Sequence, residues 1–534
     1  MKFLKRFNHI ELFAGCGGLS LGLRNAGFDL TLANELSPMA AETFAYNFFN
    51  ENLKQLAVKN EFPKKTFWLS SQYDNLTDRL RENPFDYPSI EKGKSDIYNS
   101  KKNFKNSLII GNIIELNNLL EKDKQFLDLL KSAFDNSEID LISGGPPCQS
   151  FSMAGLREKD NNKNTLPWEF ANFVAKIQPK FVLLENVTGI LRAFKDNDGS
   201  LYHAWFEIAK VFACQKYIPL CLHVNARLVG VPQNRPRFIM LAIRHDIIQK
   251  LTPYFKTGSA EEALFTPSLN FYELVQKNIE KVTYASLQYF DVSIPEHFIL
   301  FQNSFLKYLV NQKEVNVKSA IDDLKINNPA KPSSFVRNLN TKFANILKKR
   351  KHINNHEFRK NSQIVKCRFR IYQILQQCNN RDITNAVFNI LKGVEKNLPD
   401  NVWNELNKFE YLKENNQMIV FENKNDFEEY LKLHPTQKQT QKALNPNAPA
   451  PAALSIPDDA CHYDEKELRV LTVREMARIQ SFPDDFVFRS KITTGGQMRK
   501  FEVPQYTQVG NAVPPLLGLA LGKSIAELLK LLDK

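Results

Sequence analysis

The sequence predicts a doubly wound α/β fold. Short apolar runs recur from Ile10 to Arg244, and amphipathic helical patterns separate them. Several runs are continuous Ile, Leu, Val and Phe, the composition of strands covered on both faces of a parallel sheet. The expected strands are Ile10–Phe13, Leu30–Asn34, Leu108–Ile110, Ile139–Ile142, Phe181–Leu184, Ile218–Val224 and Phe238–Ile243. One intervening helix starts at Ser37-Pro38, a capping residue followed by proline at the first helical position. Another carries Leu166, Phe170, Phe173, Val174 and Ile177 on one face. In such a fold, ligands sit at the carboxyl ends of the strands.

Length and charge narrow the classes. A chain of 534 residues exceeds one compact core. With 71 Lys+Arg against 58 Asp+Glu, the net +13 favours a polyanionic partner over a small acidic substrate. The seven cysteines are scattered without a CxxC pair, so neither a disulfide framework nor a metal site is expected. The basic Met1–Phe7 stretch runs directly into Asn8, His9 and Glu11, leaving no apolar signal core. No apolar run reaches the length of a membrane span. The expected address is the cytoplasm, with no membrane partner.

Two stretches interrupt the strand–helix rhythm. Residues 50–106 read as an insertion or small subdomain within a 1–245 domain. Residues 246–465 read as a second, locally helical domain with its linker at Asn445–Pro451, and residues 466–534 return to the first. Between Arg337 and Arg381 the only acidic residue is Glu357, so this segment is either a solvated helical face or a phosphate-contacting one.

Several segments carry chemistry. Glu11-Leu12-Phe13-Ala14-Gly15-Cys16-Gly17-Gly18 follows a strand and opens a helix, and its glycines let the backbone approach a ligand. The spacing is not the GxGxxG of a pyrophosphate site. The next strand ends in Glu35, a carboxylate able to take both hydroxyls of a ribose. Ser143-Gly144-Gly145-Pro146-Pro147-Cys148-Gln149-Ser150-Phe151-Ser152 follows another strand. A lone cysteine is commonly a small buried hydrophobe, but rigid Gly-Gly-Pro-Pro suits a thiol held at a sheet's mouth. The polar stretch from Ala154 to Thr165 suggests a loop that closes over substrate. Leu183-Leu184-Glu185-Asn186-Val187 ends a strand in a carboxylic acid suited to proton sharing in a closed pocket. Arg235-Pro236-Arg237 places two planar cations before a buried strand. Leu471–Asp484 reads as a helix capped at Thr472, and Gln508–Pro515 as a turn feeding an apolar helix.

Together and in this order, these segments resemble the C5-type cytosine-specific DNA methyltransferases of bacterial restriction–modification type. That family's motifs run FAGxGG, an acidic strand end, PPCQ, ENV, QxRxR, RExARxxxFPD and GNxVPP. The resemblance covers about the first 245 and the last 70 residues. It implies a mixed, Rossmann-like sheet binding S-adenosylmethionine, with a variable target-recognition domain in the middle segment. It implies that Cys148 attacks C6 of a flipped cytosine, that Glu185 contacts N3 and the exocyclic amine, and that Arg237 lies near O2. Arg235 and Ser152 are expected at the DNA. Phe13, Gly15, Gly17, Glu35, Asn112, Pro147, Asn511 and Val513 are expected at the cofactor, and no metal is called for. The implied partners are double-stranded DNA and a separate restriction endonuclease, with the enzyme acting as a monomer at the bacterial nucleoid.

Two features depart from the pattern. Asn112 stands where family members carry an aspartate that accepts from the adenine amine, although its amide oxygen still accepts. The 50–106 insertion is long for a bacterial-type enzyme. The rivals are an RNA cytosine methyltransferase, a catalytically silent cofactor- and DNA-binding protein, and a nicotinamide-dependent oxidoreductase. The long middle segment opposes the first and the intact Cys148, Glu185 and Arg237 oppose the second. PPCQ followed by ENV opposes the third.

Overall fold

The computed structural model describes residues 6–97, 104–134, 138–147, 165–195, 201–438, 441–452 and 454–533. The apolar runs assemble into a nine-stranded sheet. It begins with β1 (Phe7–Leu12), β2 (Phe28–Glu35), β3 (Thr66–Trp68), β4 (Ser107–Ile110), β5 (Leu141–Gly144) and β6 (Phe181–Val187). A separate ribbon of β7 (Phe194–Lys195) and β8 (Leu201–Tyr202) intervenes before β9 (Tyr217–Asn225), β10 (Pro236–Arg244) and β11 (Tyr289–Asp291) complete the sheet. The spatial order is β11-β9-β10-β6-β5-β1-β2-β4-β3. Only β10 runs against its neighbours, antiparallel to β6 and β9. β1 lies between β2 and β5, parallel to both, and the strand order reverses there. Such a reversal opens a crevice at the carboxyl ends of the strands.

Helices cover both faces. α1 (Gly18–Ala26) follows β1, and α2 (Pro38–Phe48) follows β2 with the Ser37 hydroxyl accepting from the Ala40 N–H at 3.4 Å. The last helix, Pro515–Leu531, crosses α1 at glycines on both. A Cβ on Gly22 would stand 2.4 Å from the Pro515 carbonyl oxygen, and one on Gly522 would stand 2.6 Å from the Ala26 Cβ. A larger side chain at either position would push the helices apart, so the C-terminal segment reaches the first helix because both lack side chains there.

The expected divisions change in two places. The 50–106 stretch does not fold apart from the sheet. Its Thr66–Trp68 segment is the edge strand beside β4, and Phe67, Trp68 and Phe104 are buried in the main core. The 246–465 stretch is likewise divided. The helix Ala260–Lys277 packs on the sheet and β11 joins its edge; apolar residues as far as Leu347, and again Leu444, Ala450, Leu454 and Ala460, belong to the first core. A second core runs from Phe369 to Val470 around the helices Gln363–Cys378 and Arg381–Leu391. The physical boundary is set by which core an apolar face joins, and composition alone does not encode that.

Candidate active site

The turn after β1 is the first wall of the site. Phe13 adopts φ 55°, a strained conformation for an aromatic residue, and Gly15 and Gly17 follow with φ 55° and 94°. The turn is held by the Ala14 N–H donating to the Asn34 carbonyl at 3.0 Å and the Gly17 N–H to the Ala14 carbonyl at 2.9 Å. It brings the Gly15 N–H to Oε2 of Glu35 at 2.7 Å, while the Ser37 N–H donates to Oε1 at 2.8 Å. One backbone donor on each oxygen fixes the carboxylate and leaves lone pairs for a ligand. Burial raises the Glu35 pKa and the two N–H donors oppose the rise. Beneath it, Glu11 is buried and accepts from the Ser20 hydroxyl. Burial pushes the Glu11 pKa up to about 8 against that hydrogen bond, and the charge of Glu35 adds to the rise.

These groups border a cavity of about 310 Å³, within the range of small-molecule sites. Around it stand Phe13, Gly15, Glu35, Asn112, Pro147, Glu185, Asn511 and Val513. Gly17 is the exception among the expected cofactor residues. Its Cβ would meet Phe48 at 2.4 Å and Phe44 at 3.0 Å, so its left-handed backbone serves the packing of α1 against α2. By contrast, a Cβ on Gly15 would meet nothing within 4 Å. Asn112 caps the helix Ile113–Lys122, its Oδ1 accepting from the Ile114 N–H at 3.0 Å.

The second wall is built across β5, β6 and β10. Arg237 lies opposite Val187 in the antiparallel register, and its Nε is 2.7 Å from Oε1 of Glu185. Both side chains are about nine-tenths buried, so the pair is poorly screened by solvent. Burial lowers the Arg237 pKa, and Glu185 opposes the shift. A Cβ on Gly145 would lie 2.9 Å from Oε2 of Glu185, so glycine lets the turn after β5 pass over the carboxylate. The Asn186 amide donates to the Pro146 carbonyl at 3.0 Å and ties β6 to the segment that leads to Cys148. Cys148, Ser152 and the expected closing loop, up to residue 164, lie outside the described residues.

Arg235 is corrected. Expected at the DNA, it is buried, and its Nη2 donates to the carbonyls of Gly510 at 2.7 Å and Ala512 at 3.1 Å. It therefore fastens the QxRxR segment to the last motif, with burial lowering its pKa and Arg237 adding to the fall. Arg474 and Arg478 of the RExARxxxFPD segment are also core anchors. Arg474 donates to the carbonyls of Asn354, Pro483 and Phe486. Arg478 pairs with Asp484 at 2.7 Å and Asp323 at 2.6 Å. The basic run is mixed: Lys348, Lys349, Lys351, Arg359 and Lys360 are exposed, whereas Arg370 is buried and donates to the Glu410 carbonyl at 2.8 Å.

Sequence reasoning missed three contributors to the cavity wall. Glu11 belongs to a motif already singled out, and a carboxylate inside an apolar strand was its signal. Pro84, Phe85 and residues 499–503 carry no motif, and only the folded chain brings them to the cavity.

A crevice at the reversal of a doubly wound sheet, edged by a fixed carboxylate and a buried Glu–Arg pair, defines a cofactor-dependent α/β enzyme. The chain belongs to the C-5 cytosine-specific DNA methylase family, whose family model matches residues 7–69 and 88–527. That is a family of S-adenosylmethionine-dependent methyltransferases acting on DNA. The chain is 25% identical over 522 residues to the type II methyltransferase M.DdeI of Desulfomicrobium norvegicum, covering 97% of this chain and 88% of the relative. It is 24% identical to the type II methyltransferase M.PspPI of a Psychrobacter species, covering 99% of this chain and 81% of the relative. A crystal structure of a prophage-encoded E. coli protein shares the fold at a TM-score of 0.51 and 19% identity, covering 98% of this chain and 99% of that one.

Proposed function

We propose that this chain, a DNA (cytosine-5)-methyltransferase, works on a cytosine flipped out of duplex DNA and uses Cys148 as its nucleophile. The observation that carries the reading is the buried Glu185–Arg237 pair, 2.7 Å apart, with Glu185 at the same cavity as Pro147, the residue before Cys148. S-Adenosylmethionine, when bound, supplies an electrophilic methyl group. The cavity suits it: the Glu35 carboxylate is oriented for two ribose hydroxyls, and the open space at Gly15 admits the methionine end. Phe13 would pack on the adenosine, Asn112 would lie near the adenine, and Asn511 and Val513 would complete the wall. Gly17 acts on this group only by holding α1 in place.

The chemistry explains why these residue types are needed. C5 of an aromatic pyrimidine is a poor nucleophile, and its ring face is inaccessible in a stacked duplex. Flipping exposes the face at about a few kcal/mol. Cys148 adds to C6 as the thiolate, and the ring electrons move toward N3 and O2. Glu185 hydrogen-bonds N3 and the exocyclic amine, and Arg237 neutralises charge at O2. The resulting enamine-like carbon, C5, takes up the methyl group. A base then removes the C5 proton, and Cys148 departs by elimination.

DNA recognition is assigned to the second core, residues 363–470, with the exposed lysines of 348–351 contributing phosphate contacts. Arg235 is a positioning residue on this reading. The type II methyltransferase relatives support a role in protecting DNA from a restriction endonuclease; on this reading the endonuclease is a separate chain and the methyltransferase acts as a cytoplasmic monomer.

The test is methyl transfer from radiolabelled S-adenosylmethionine to unmethylated duplex DNA and to transfer RNA, for wild type and Cys148→Ser. Label in duplex DNA that disappears in the variant is expected, and bisulfite sequencing then reads the target site. Label in RNA alone would transfer the reading to the RNA enzymes. Cofactor binding with no label in either substrate would leave a silent binder.

A further inference from the structure

We infer that Phe85 stacks on the adenine of the cofactor, and that Arg81 fixes the segment that carries it. The inference rests on the cofactor reading above and deepens it. Residues 70–87 are the internal stretch that the family model leaves unmatched. Two of them, Pro84 and Phe85, nevertheless stand at the same cavity as Glu35, Leu36 and Asn112.

The turn that presents Phe85 is a rigid one. It is the single 3-10 turn Pro84–Asp86, entered at Asn83, whose Oδ1 accepts from the Phe85 N–H at 3.2 Å. The Asn83 amide donates to Asp86 at 2.7 Å, and the Gln72 amide donates to the Asp86 carbonyl at 2.7 Å. The Tyr87 hydroxyl donates to the carbonyl of Leu36, the residue after Glu35, at 3.3 Å. Arg81 Nη1 donates to Glu42 on α2 at 3.0 Å and to the Ser490 hydroxyl at 2.9 Å. Ser490 precedes residues 499–503, which also border the cavity, so one guanidinium ties the unmatched segment to α2 and to the chain that leads to that wall.

Phe85 itself is 52% exposed although its backbone is fixed. An aromatic side chain on a fixed turn at the mouth of a cavity favours a planar ring with a π-face over a flexible chain. With the ribose on Glu35, the purine is the part of the cofactor that reaches Leu36, Asn112 and Phe85. This stacking contact comes from outside the matched family residues, and it acts on binding rather than on methyl transfer.

Isothermal titration of the full chain with S-adenosylhomocysteine, without DNA, tests the inference. Phe85→Ala is expected to weaken binding about 5- to 20-fold, the lower part of the range for a base–aromatic stack because the residue is half exposed. Phe85→Trp should stay within about twofold of wild type, since it keeps a stacking face. Arg81→Ala should reproduce part of the loss, and wild-type affinity there would remove the clamp from the proposal. Glu35→Gln is run alongside. If Glu35→Gln binds as tightly as wild type, the pocket reading itself fails and the stacking role fails with it. If Glu35→Gln weakens binding while Phe85→Ala stays within twofold, the pocket stands and the stacking role is overturned. Loss in Phe85→Ala that Phe85→Trp does not restore also overturns it.

Discussion

The carboxyl edge of the main sheet and the second core at 363–470 are built differently, and the proposed function assigns them different physical problems. At the sheet edge, the groups assigned to chemistry are fixed by short strands and backbone donors. Glu35 receives one N–H on each oxygen, and Glu185 pairs diagonally with Arg237 across the antiparallel strands β6 and β10. The second core is a small helical cluster with two-residue ribbons, and an exposed basic stretch leads into it. Bond-making needs side chains held in one orientation, whereas scanning a polyanion needs exposed, rotatable cations. Arg235 and Arg237 show the contrast inside one segment. Two residues apart on the chain, one is consumed by backbone carbonyls and the other by a carboxylate at the cavity.

The sharpest way to break that contrast is at the sheet edge. Glu185→Gln keeps the shape but removes the charge, and kcat should fall by about 10²- to 10³-fold. S-adenosylhomocysteine affinity measured by calorimetry should hold within threefold, and a parallel loss there would mean that Glu185 serves the fold. Arg235→Ala should behave oppositely. Leaving the Gly510 and Ala512 carbonyls unpaired in the interior should cost about 2–3 kcal/mol in chemical denaturation, with no change in the salt dependence of DNA binding. A reduced salt slope would return Arg235 to the DNA.

Glu35→Gln should weaken S-adenosylmethionine binding by about 10- to 100-fold, since a hydrogen bond from each ribose hydroxyl loses its ionised acceptor. Glu11 gives a pH signature of the same wall. Its folded pKa is about 8 against an ordinary 4.5, so the folded chain holds this proton more tightly than the unfolded chain between those values. That contribution is present at low pH and declines as pH rises through the interval. Between pH 6 and 8, wild type should therefore lose about 2 kcal/mol relative to Glu11→Gln in denaturant titrations. Equal slopes for the two proteins would show that Glu11 is ionised throughout. The smallest effect is expected on the recognition side. Replacing Lys348, Lys349 and Lys351 together by alanine should lower DNA affinity about tenfold and reduce the salt slope by about 2 to 3, with cofactor affinity untouched.

The strand runs were legible because a strand buried on both faces must be continuously apolar. The site turns were legible because a tight turn beside a ligand restricts the residue types that fit. Glu35 ends β2 and Asn112 follows β4, since the end of an apolar run is visible without any partner, whereas β6 runs two residues past Glu185. The fate of Arg235 was not legible, because a guanidinium reads the same whether its acceptor is a phosphate or a carbonyl some 275 residues away. The division of the middle segment was hidden for a related reason: the amphipathic helix Ala260–Lys277 has an apolar face, but nothing local names the core that will cover it.

By itself, then, the sequence determined the sheet, the order of its cavity-lining turns and the chemical types at their tips. Period, composition and turn chemistry are local properties. Only the tertiary structure decided which charges meet, which are spent on backbone carbonyls, and that Phe85 stands at the cavity while Arg81 ties its segment to Glu42 and Ser490. Those outcomes depend on contacts between residues far apart in the chain, where burial and geometry select the partner.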